Sequence, residues 1–391
     1  EPDYLEIGYG AFDDTPAFRF AAFDAMYLNS YAYYGMASWY GNCNGTGTVN
    51  IDRFSPSYYM VDMAGGKLLY GVGTDAEGNP ADNCYVLGAT DDITGVVHLE
   101  DNATEIAGYV FRNCADPFTV EGLDHLIAIG DYAFESSGIQ GDITMNGGMV
   151  NLGSSAFRYC SGLTGVTLDG TGFNNGVYQQ PFGLYAFEYC NNLTKVEITG
   201  SGSYDIGSEA FAGCTGLQEI RIAESAGIQK IGYSAFASTP ITSITLPQTV
   251  NEICYGAFDM CDNLEKICLL SQTPPILGNY SIGMPFTFGD LRVTDGYITV
   301  PDGSGQDYID VWKYYMLGYA PEYGDDLTED QLTESENLVR KMLGLPEKEE
   351  KDPGISENDI DANTGRNGNT DDLPVTVSEN ATEQIIQEDR S

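Results

Sequence analysis

The chain has 391 residues, 42% hydrophobic and 19% charged, and a formal net charge of −41 at pH 7. A field of that sign repels phosphate backbones and anionic lipid surfaces, so nucleic acid is not an expected partner. No run approaches the roughly 18 apolar residues that a membrane helix needs, and direct membrane insertion is not expected either.

The acidity is not confined to one end. The tail from Asp325 to Ser391 carries a net charge of −13, which leaves −28 on the rest. Abundant Tyr, Phe and Gly suit strands joined by tight turns. The chain opens at Glu1 with no basic or apolar leader, so a signal peptide is read as absent or already removed.

Residues 1–57 read as degenerate repeats. Ile7-Gly8-Tyr9-Gly10-Ala11-Phe12 is the clearest unit, with eroded copies at Ala22-Phe23 and Trp39-Tyr40-Gly41-Asn42-Cys43. No polar cap precedes Ile7, and an open array end would expose core and strand edge, so further residues are expected upstream. Residues 58–104 break the rhythm. Val61 to Tyr70 reads as a hairpin turning at Gly65-Gly66, Asp75 to Asn83 as a polar loop, and Val96 to Leu99 as a returning strand.

From 105 to 270 one template recurs, I-G-x-x-A-F-x-x-C-x-x-L-x-x-I-x-I, complete at Ile206–Ile222. Its phenylalanines are Phe111, Phe134, Phe157, Phe187, Phe211, Phe236 and Phe258, spaced 23, 23, 30, 24, 25 and 22 residues apart. These periods fit leucine-rich repeats, which share one stacked core rather than forming separate domains. The L-x-x-I-x-L half predicts a strand with its apolar residues inward. The I-G-x-x-A-F half predicts a corner, with Gly permitting the bend and Ala-Phe in a short helical or 3₁₀ turn. The 30-residue step marks an outward loop around Gly170–Gln180.

Cys114, Cys160, Cys190, Cys214 and Cys261 all lie three residues after the repeat Phe, which makes them small core fillers in one column rather than a disulfide set. A Cys43–Cys84 bridge is left open. Residues 271–324 hold the last strand, Tyr297–Pro301, and a helical segment, Tyr308–Met316, that covers the array's end. In 325–391 one helix is predicted over Thr328–Leu343, with capping-box spacing at Thr333 and Glu336. Beyond Pro346, sparse apolar content predicts disorder.

The recurring A-F-x-x-C with its strand strongly resembles the BspA-type leucine-rich repeats of bacterial and some protist surface proteins. Ile298-Thr299-Val300-Pro301 with Tyr308 and Trp312 looks like that family's C-terminal cap, and Gly65–Leu87 is similar to its interruptions. The resemblance is tight over 106–270 and loose before 58. It implies a leucine-rich-repeat solenoid, strand-rich α/β, wound as a right-handed superhelix with a curved parallel sheet and short helical or 3₁₀ turns on the other side. It further implies secretion or cell-surface display and adhesion to host, matrix or microbial partners. It offers no catalytic motif and no binding residue to carry over.

The outward positions of the strands are therefore the candidate binding face. Thr167, Glu197, Arg221, Thr245 and Cys268 form one file, and Lys195, Glu219, Ser243 and Lys266 lie beside it. Their mixed charge departs from the acidic body. The leading expectation is a non-catalytic extracellular recognition protein that binds a protein or glycan through Lys195, Glu197, Glu219, Arg221, Ser243, Thr245 and Lys266. The alternatives are a structural spacer displaying other domains, and a polysaccharide-active enzyme built on the solenoid.

His98 and His125 lie in different repeats with no nucleophile motif, so neither is read as catalytic. No cofactor or metal is expected. Asp359-x-Asp361-x-Asn363 begins like a calcium loop, but Thr364 stands where Gly is needed and no Glu closes it. Leu373-Pro374-Val375-Thr376-Val377 looks like a sorting signal but has Val377 in place of Gly. Asn44, Asn102, Asn192, Asn279 and Asn380 begin glycosylation sequons.

Overall fold

The fold is seen in a computed structural model, which describes residues 58–63, 66–74, 80–90, 92–174, 181–278, 297–317 and 327–348. All of them belong to a unit that closes at Lys348. The expectations placed on residues 1–57, and on the calcium-like and sorting-like segments of the tail, lie outside the described residues.

The strands in chain order are β1 (Tyr58–Met63), β2 (Gly66–Thr74), β3 (Pro80–Ala89), β4 (Gly95–His98), β5 (Ala103–Ile106), β6 (Phe118–Glu121) and β7 (Ala128–Ile129). There follow β8 (Gly141–Met145), β9 (Asn151–Leu152), β10 (Leu163–Asp169), β11 (Lys195–Thr199), β12 (Tyr204–Ile206) and β13 (Glu219–Ile222). The series closes with β14 (Ile228–Ile231), β15 (Ser243–Leu246), β16 (Glu252–Ile253), β17 (Lys266–Leu269), β18 (Ile276–Leu277) and β19 (Ile298–Thr299). Two helices complete it, α1 (Gly305–Tyr315) and α2 (Glu329–Met342).

The architecture is a parallel-sheet β-solenoid with little helix. Each coil contributes one strand to each of two parallel files. The L-x-x-I-x-L segments make the first file, as β8–β10–β11–β13 and β15–β17–β19, with β4–β6 ahead of them. Their alternation decides the inward face: in β11, Val196 and Ile198 are buried while Lys195 and Glu197 are exposed. The second file runs through the Ile of I-G, as β3–β5–β7–β9 and β12–β14–β16–β18. Antiparallel β1–β2–β3 enters this file, since β3 pairs parallel with β5. Pro80–Asn83, read from sequence as loop, are already part of β3, which begins with Pro80 opposite Thr74 of β2.

The A-F corner forms a third ladder between coils. Two residues per coil, two before and two after the Phe, hold left-handed backbone: Tyr132 (φ 57°) and Ser136 (φ 55°) flank Phe134, and Tyr185 and Tyr189 (both φ 57°) flank Phe187. They alternate with right-handed residues, so every second N–H points along the stack. Tyr132, Phe134 and Ser136 donate to the carbonyls of Ser154, Ala156 and Arg158 in the next coil, at 2.9, 2.7 and 2.8 Å. The intervening N–H groups close i→i−3 bonds of the 3₁₀ kind, such as Glu135 to Tyr132 at 3.2 Å. A continuous right-handed turn would spend all its donors inside the coil. The left-handed residues, at about 1–2 kcal/mol each for a side chain other than Gly, free half of them for the neighbour.

The I-G glycine serves closeness rather than bending. Gly130, Gly153, Gly183, Gly207 and Gly232 are not among the positive-φ glycines. A Cβ on Gly183 would instead stand 2.4 Å from the Gly153 carbonyl carbon, and one on Gly207 would stand 2.3 Å from the Gly183 oxygen.

Inside, the seven template phenylalanines stack as near-parallel rings, 4.8 Å apart from Phe134 to Phe157 and 5.3 Å apart from Phe187 to Phe211. The cysteine column lies beside them, buried at Cys114, Cys160, Cys190 and Cys214 and half-buried at Cys261, and its thiols do more than fill space. Cys160, Cys190, Cys214 and Cys261 donate to the carbonyls of Phe134, Phe157, Phe187 and Phe236 at 2.9, 3.0, 3.1 and 3.1 Å. The start of the insertion turns inward rather than out: Gly170–Gly172 is a 3₁₀ turn, and Phe173 is buried edge-on to Tyr204 at 5.2 Å.

At the far end, α1 packs over the last coil. Trp312 and Tyr308, both fully buried, donate to the carbonyls of Pro275 and Ser271 at 2.9 and 2.8 Å. Helix α2 then packs on α1, with Val339 and Met342 buried. Its capping box is Thr328 with Gln331, one turn and more ahead of the Thr333–Glu336 pair chosen from sequence. Thr333 instead bonds back to the Glu329 carbonyl, and Glu336 is buried against Arg340 and Lys348.

Candidate functional site

The outward face of the first file is built by register. Parallel pairing sets Thr144, Thr167, Glu197 and Arg221 in one row, and Asp142, Gly165, Lys195 and Glu219 in the next. Strands about 4.8 Å apart bring neighbouring side chains in each row within reach of one another. An open cleft of about 240 Å³ lies between the rows, floored by Val166 and Val196 and walled by Thr167, Lys195, Glu197, Glu219 and Arg221.

Four of the seven residues expected from sequence thus share one cleft: Lys195, Glu197, Glu219 and Arg221. Ser243, Thr245 and Lys266 lie on β15 and β17, which form a separate sheet. The row is interrupted between β13 and β15, where the coil is one residue short between Phe236 and Ile241. In the row of Lys195 and Glu219, two positions were not singled out from sequence, Asp142 and Gly165. Their signal was present in the alignment of the strands, since both occupy the position held by Lys195 and Glu219.

Gly165 matters through what it leaves out. Lys195 reaches across it to Asp142, Nζ to Oδ2 at 2.7 Å, through space that a Cβ would fill at 2.6 Å from the lysine Cε. Hydrogen bonds from Lys195 and from the Thr164 hydroxyl (2.6 Å) hold the Asp142 carboxyl below its ordinary range, and Asp142 in turn raises Lys195. Arg221 pairs along its own strand with Glu219, Nη2 to Oε1 at 2.5 Å. The Glu197 carboxylate has no hydrogen bond or ion pair among the described residues.

The corner ladder carries a second charged row that sequence reading missed. Arg112, Glu135, Arg158 and Glu188 each follow the repeat Phe and alternate in sign. Arg112 Nε lies 2.6 Å from Glu135, and Arg158 Nε lies 2.5 Å from Glu188. Arg158 also covers the Tyr159 ring at 4.7 Å, and Tyr159 stacks on Tyr189 at 5.3 Å. Burial raises the Glu188 carboxyl above its usual range even with that guanidinium pulling the other way. Both carboxylates are buried and internally paired, so this row is scaffold.

The two histidines stand apart in role. His98 pairs with Glu121 on the adjacent strand at 2.7 Å, and His125 ends a 3₁₀ turn beside Asp124. Among the described residues, no group of three or more His, Cys, Asp or Glu is placed to hold a metal ion, and no helix is long and apolar enough to cross a membrane. Of the sequons, Asn102 and Asn192 are described, and each amide donates to a backbone carbonyl, Asp82 at 2.5 Å and Ser161 at 2.7 Å.

A stacked short-repeat β-solenoid with a phenylalanine spine and an open strand face defines a leucine-rich-repeat scaffold. Residues 89–178 and 180–281 match the model of the BspA type leucine rich repeat region, in 6 copies, and over these residues the chain belongs to that family. Among solved structures, a leucine-rich repeat protein from Bacteroides ovatus is 24% identical, with 60% of this chain and 52% of that one covered at a TM-score of 0.42. A leucine rich cell surface protein from Faecalibacterium prausnitzii is 20% identical, with 56% of each chain covered at a TM-score of 0.40. The chain spans about half the length of these two proteins. No curated protein matches it.

Proposed function

We propose that this protein is a non-catalytic recognition protein, displayed outside the cell, that binds a protein or glycan on a host, matrix or neighbouring cell. Contact is made through the outward strand face, centred on Lys195, Glu197, Glu219 and Arg221 and extended by Ser243, Thr245 and Lys266. The observation that carries this reading is the cleft between two registered rows of charged side chains on rigid strands. Repeat scaffolds characteristically bind through such an extended face, and a site on strands is held more rigidly than one on loops.

The test is a binding screen of the full chain against matrix proteins, cell-surface extracts and a glycan array. It is repeated with Arg221→Glu and Lys266→Glu together. A saturable partner whose affinity falls at least about tenfold with the double reversal supports the reading. A partner bound equally well by the reversed protein moves the site off this face. The absence of any saturable partner favours the spacer.

A further inference from the structure

We propose that Asn146 is a self-modification site, converting in the folded protein to aspartate and isoaspartate, and that the product loosens the boundary between the coils of β8 and β10. Asn146-Gly147 is the only Asn-Gly step among the described residues. Asn146 is exposed and follows Met145, the last residue of β8. Its carbonyl accepts from the Met149 N–H at 3.0 Å, which closes a turn over residues 146–149. Within that turn both reacting groups are unengaged. Among the described residues, neither the Asn146 side-chain amide nor the Gly147 N–H has a hydrogen-bond partner. Other asparagines are held: the amides of Asn192 and Asn251 donate to Ser161 and Gln229 at 2.7 and 3.2 Å, and the Asn337 side-chain oxygen accepts from the Lys348 N–H at 2.8 Å.

The chemistry needs only water, and holding nucleophile and carbonyl side by side in one chain makes it unimolecular. The Gly147 nitrogen gives its proton to a solvent base and bonds to the side-chain carbonyl carbon of Asn146. No Cβ on Gly147 crowds that approach. The bond from the carbonyl carbon to the amide nitrogen breaks, and ammonia leaves with a proton taken from solvent. Water then opens the cyclic imide at either carbonyl. One opening leaves aspartate. The other routes the main chain through the former side chain and leaves isoaspartate, with one more carbon in the backbone.

The neighbouring coil turns this into a packing event. Gly172 lies so close to the turn that a Cβ on it would stand 2.3 Å from the Met149 oxygen and 2.9 Å from the Gly147 oxygen. Gly147 faces the Asp169 carboxylate, which lies 2.9 Å from where its own Cβ would be. A longer backbone has no room there. Met145 also pairs with Leu168, so either product sets a new carboxylate one strand spacing from Asp169, where like charges repel.

The experiment incubates the full native chain in mildly alkaline buffer made with heavy-oxygen water. Peptides are mapped by mass spectrometry, and isoaspartate is read by methyl transfer with an isoaspartyl methyltransferase. The peptide carrying Asn146 is expected to take up label and accept methyl groups, while that carrying Asn192 keeps its amide. Asn146→Gln, an exposed change whose larger ring closes far more slowly, should abolish the uptake and leave the fold unaltered. In aged protein, hydrogen exchange should quicken several-fold in β8, β9 and β10 and stay at the fresh rate in β15 and β17. Aged Asn146→Gln should exchange like fresh protein throughout. The proposal is overturned if native Asn146 keeps its amide over an interval in which the same peptide, cut from the chain, converts. It is equally overturned if Asn146 converts and exchange in β8, β9 and β10 does not change.

Discussion

At the scale of single residues, burial decides which charges and thiols matter. It pushes the thiols of Cys160 and Cys214 up to about 12 and that of Cys190 well above its ordinary range. At pH 8 a thiol near 12 is thiolate in roughly one molecule in ten thousand, and the thiolate is the nucleophile. Iodoacetamide at pH 8 should therefore leave these three cysteines unlabelled in the native protein and label them all in denaturant, as read by peptide mass spectrometry. Native labelling of Cys190 at the rate of a free thiol would contradict the buried column. The same logic separates two arginines. Arg158→Met leaves Glu188, 5% exposed, without its cation and should cost about 2–3 kcal/mol in chemical denaturation. Arg221→Met breaks a solvated pair and should cost under about 1 kcal/mol. Because the folded Glu188 carboxyl lies above its unfolded value, protonation favours the folded state. The Arg158→Met deficit should therefore be largest at neutral pH and shrink as the pH falls toward the ordinary carboxylate range.

At the scale of the element, coil spacing is limited by what stands between the strands. Gly183→Ala would place a methyl group 2.4 Å from the Gly153 carbonyl carbon and 2.5 Å from the Ser154 nitrogen, both backbone. Neither can swing aside, so a loss of about 1–3 kcal/mol is expected from denaturant midpoints. Gly148→Ala meets nothing within 4 Å at an ordinary φ and should be neutral or slightly stabilising. Equal losses at the two sites would show that the I-G glycine is not there for closeness. The template marked both the strand and the glycine correctly but assigned the glycine to bending. The left-handed backbone of the corner falls instead to Tyr, Ser, Asn, Glu and Met residues, with Gly only at Gly213 and Gly256, a mixture of types with no single sequence signature for that conformation.

At the scale of the molecule, the coils share one continuous core from Leu68 to Met316, extended by Val339 and Met342 of α2. In such an array each coil is stabilised by its neighbours, so damage at an end spreads inward from that end. Trp312→Ala removes a fully buried indole and its bond to Pro275, at a cost of about 3–5 kcal/mol. Hydrogen exchange should then quicken first in β17 and β19, while β10 and β11 keep their protection. Uniform loss of protection along the chain would mean that the solenoid unfolds as one unit and that α1 is not an end cap in the energetic sense.

The sequence by itself determined the repeat, its register and its inward face, because burying the same apolar positions coil after coil leaves a periodic record. Phe157, Cys160, Leu163, Val166 and Leu168 could be placed inside from spacing alone. What only the tertiary structure decided are relations between side chains on different coils. Lys195 crosses Gly165 to Asp142, Arg221 turns along its own strand to Glu219, and the row breaks before Ser243. These outcomes depend on distances of a few ångströms among exposed groups, which no periodic constraint records. For that reason the scaffold was readable from the residues, and the pairing of the exposed charges was not.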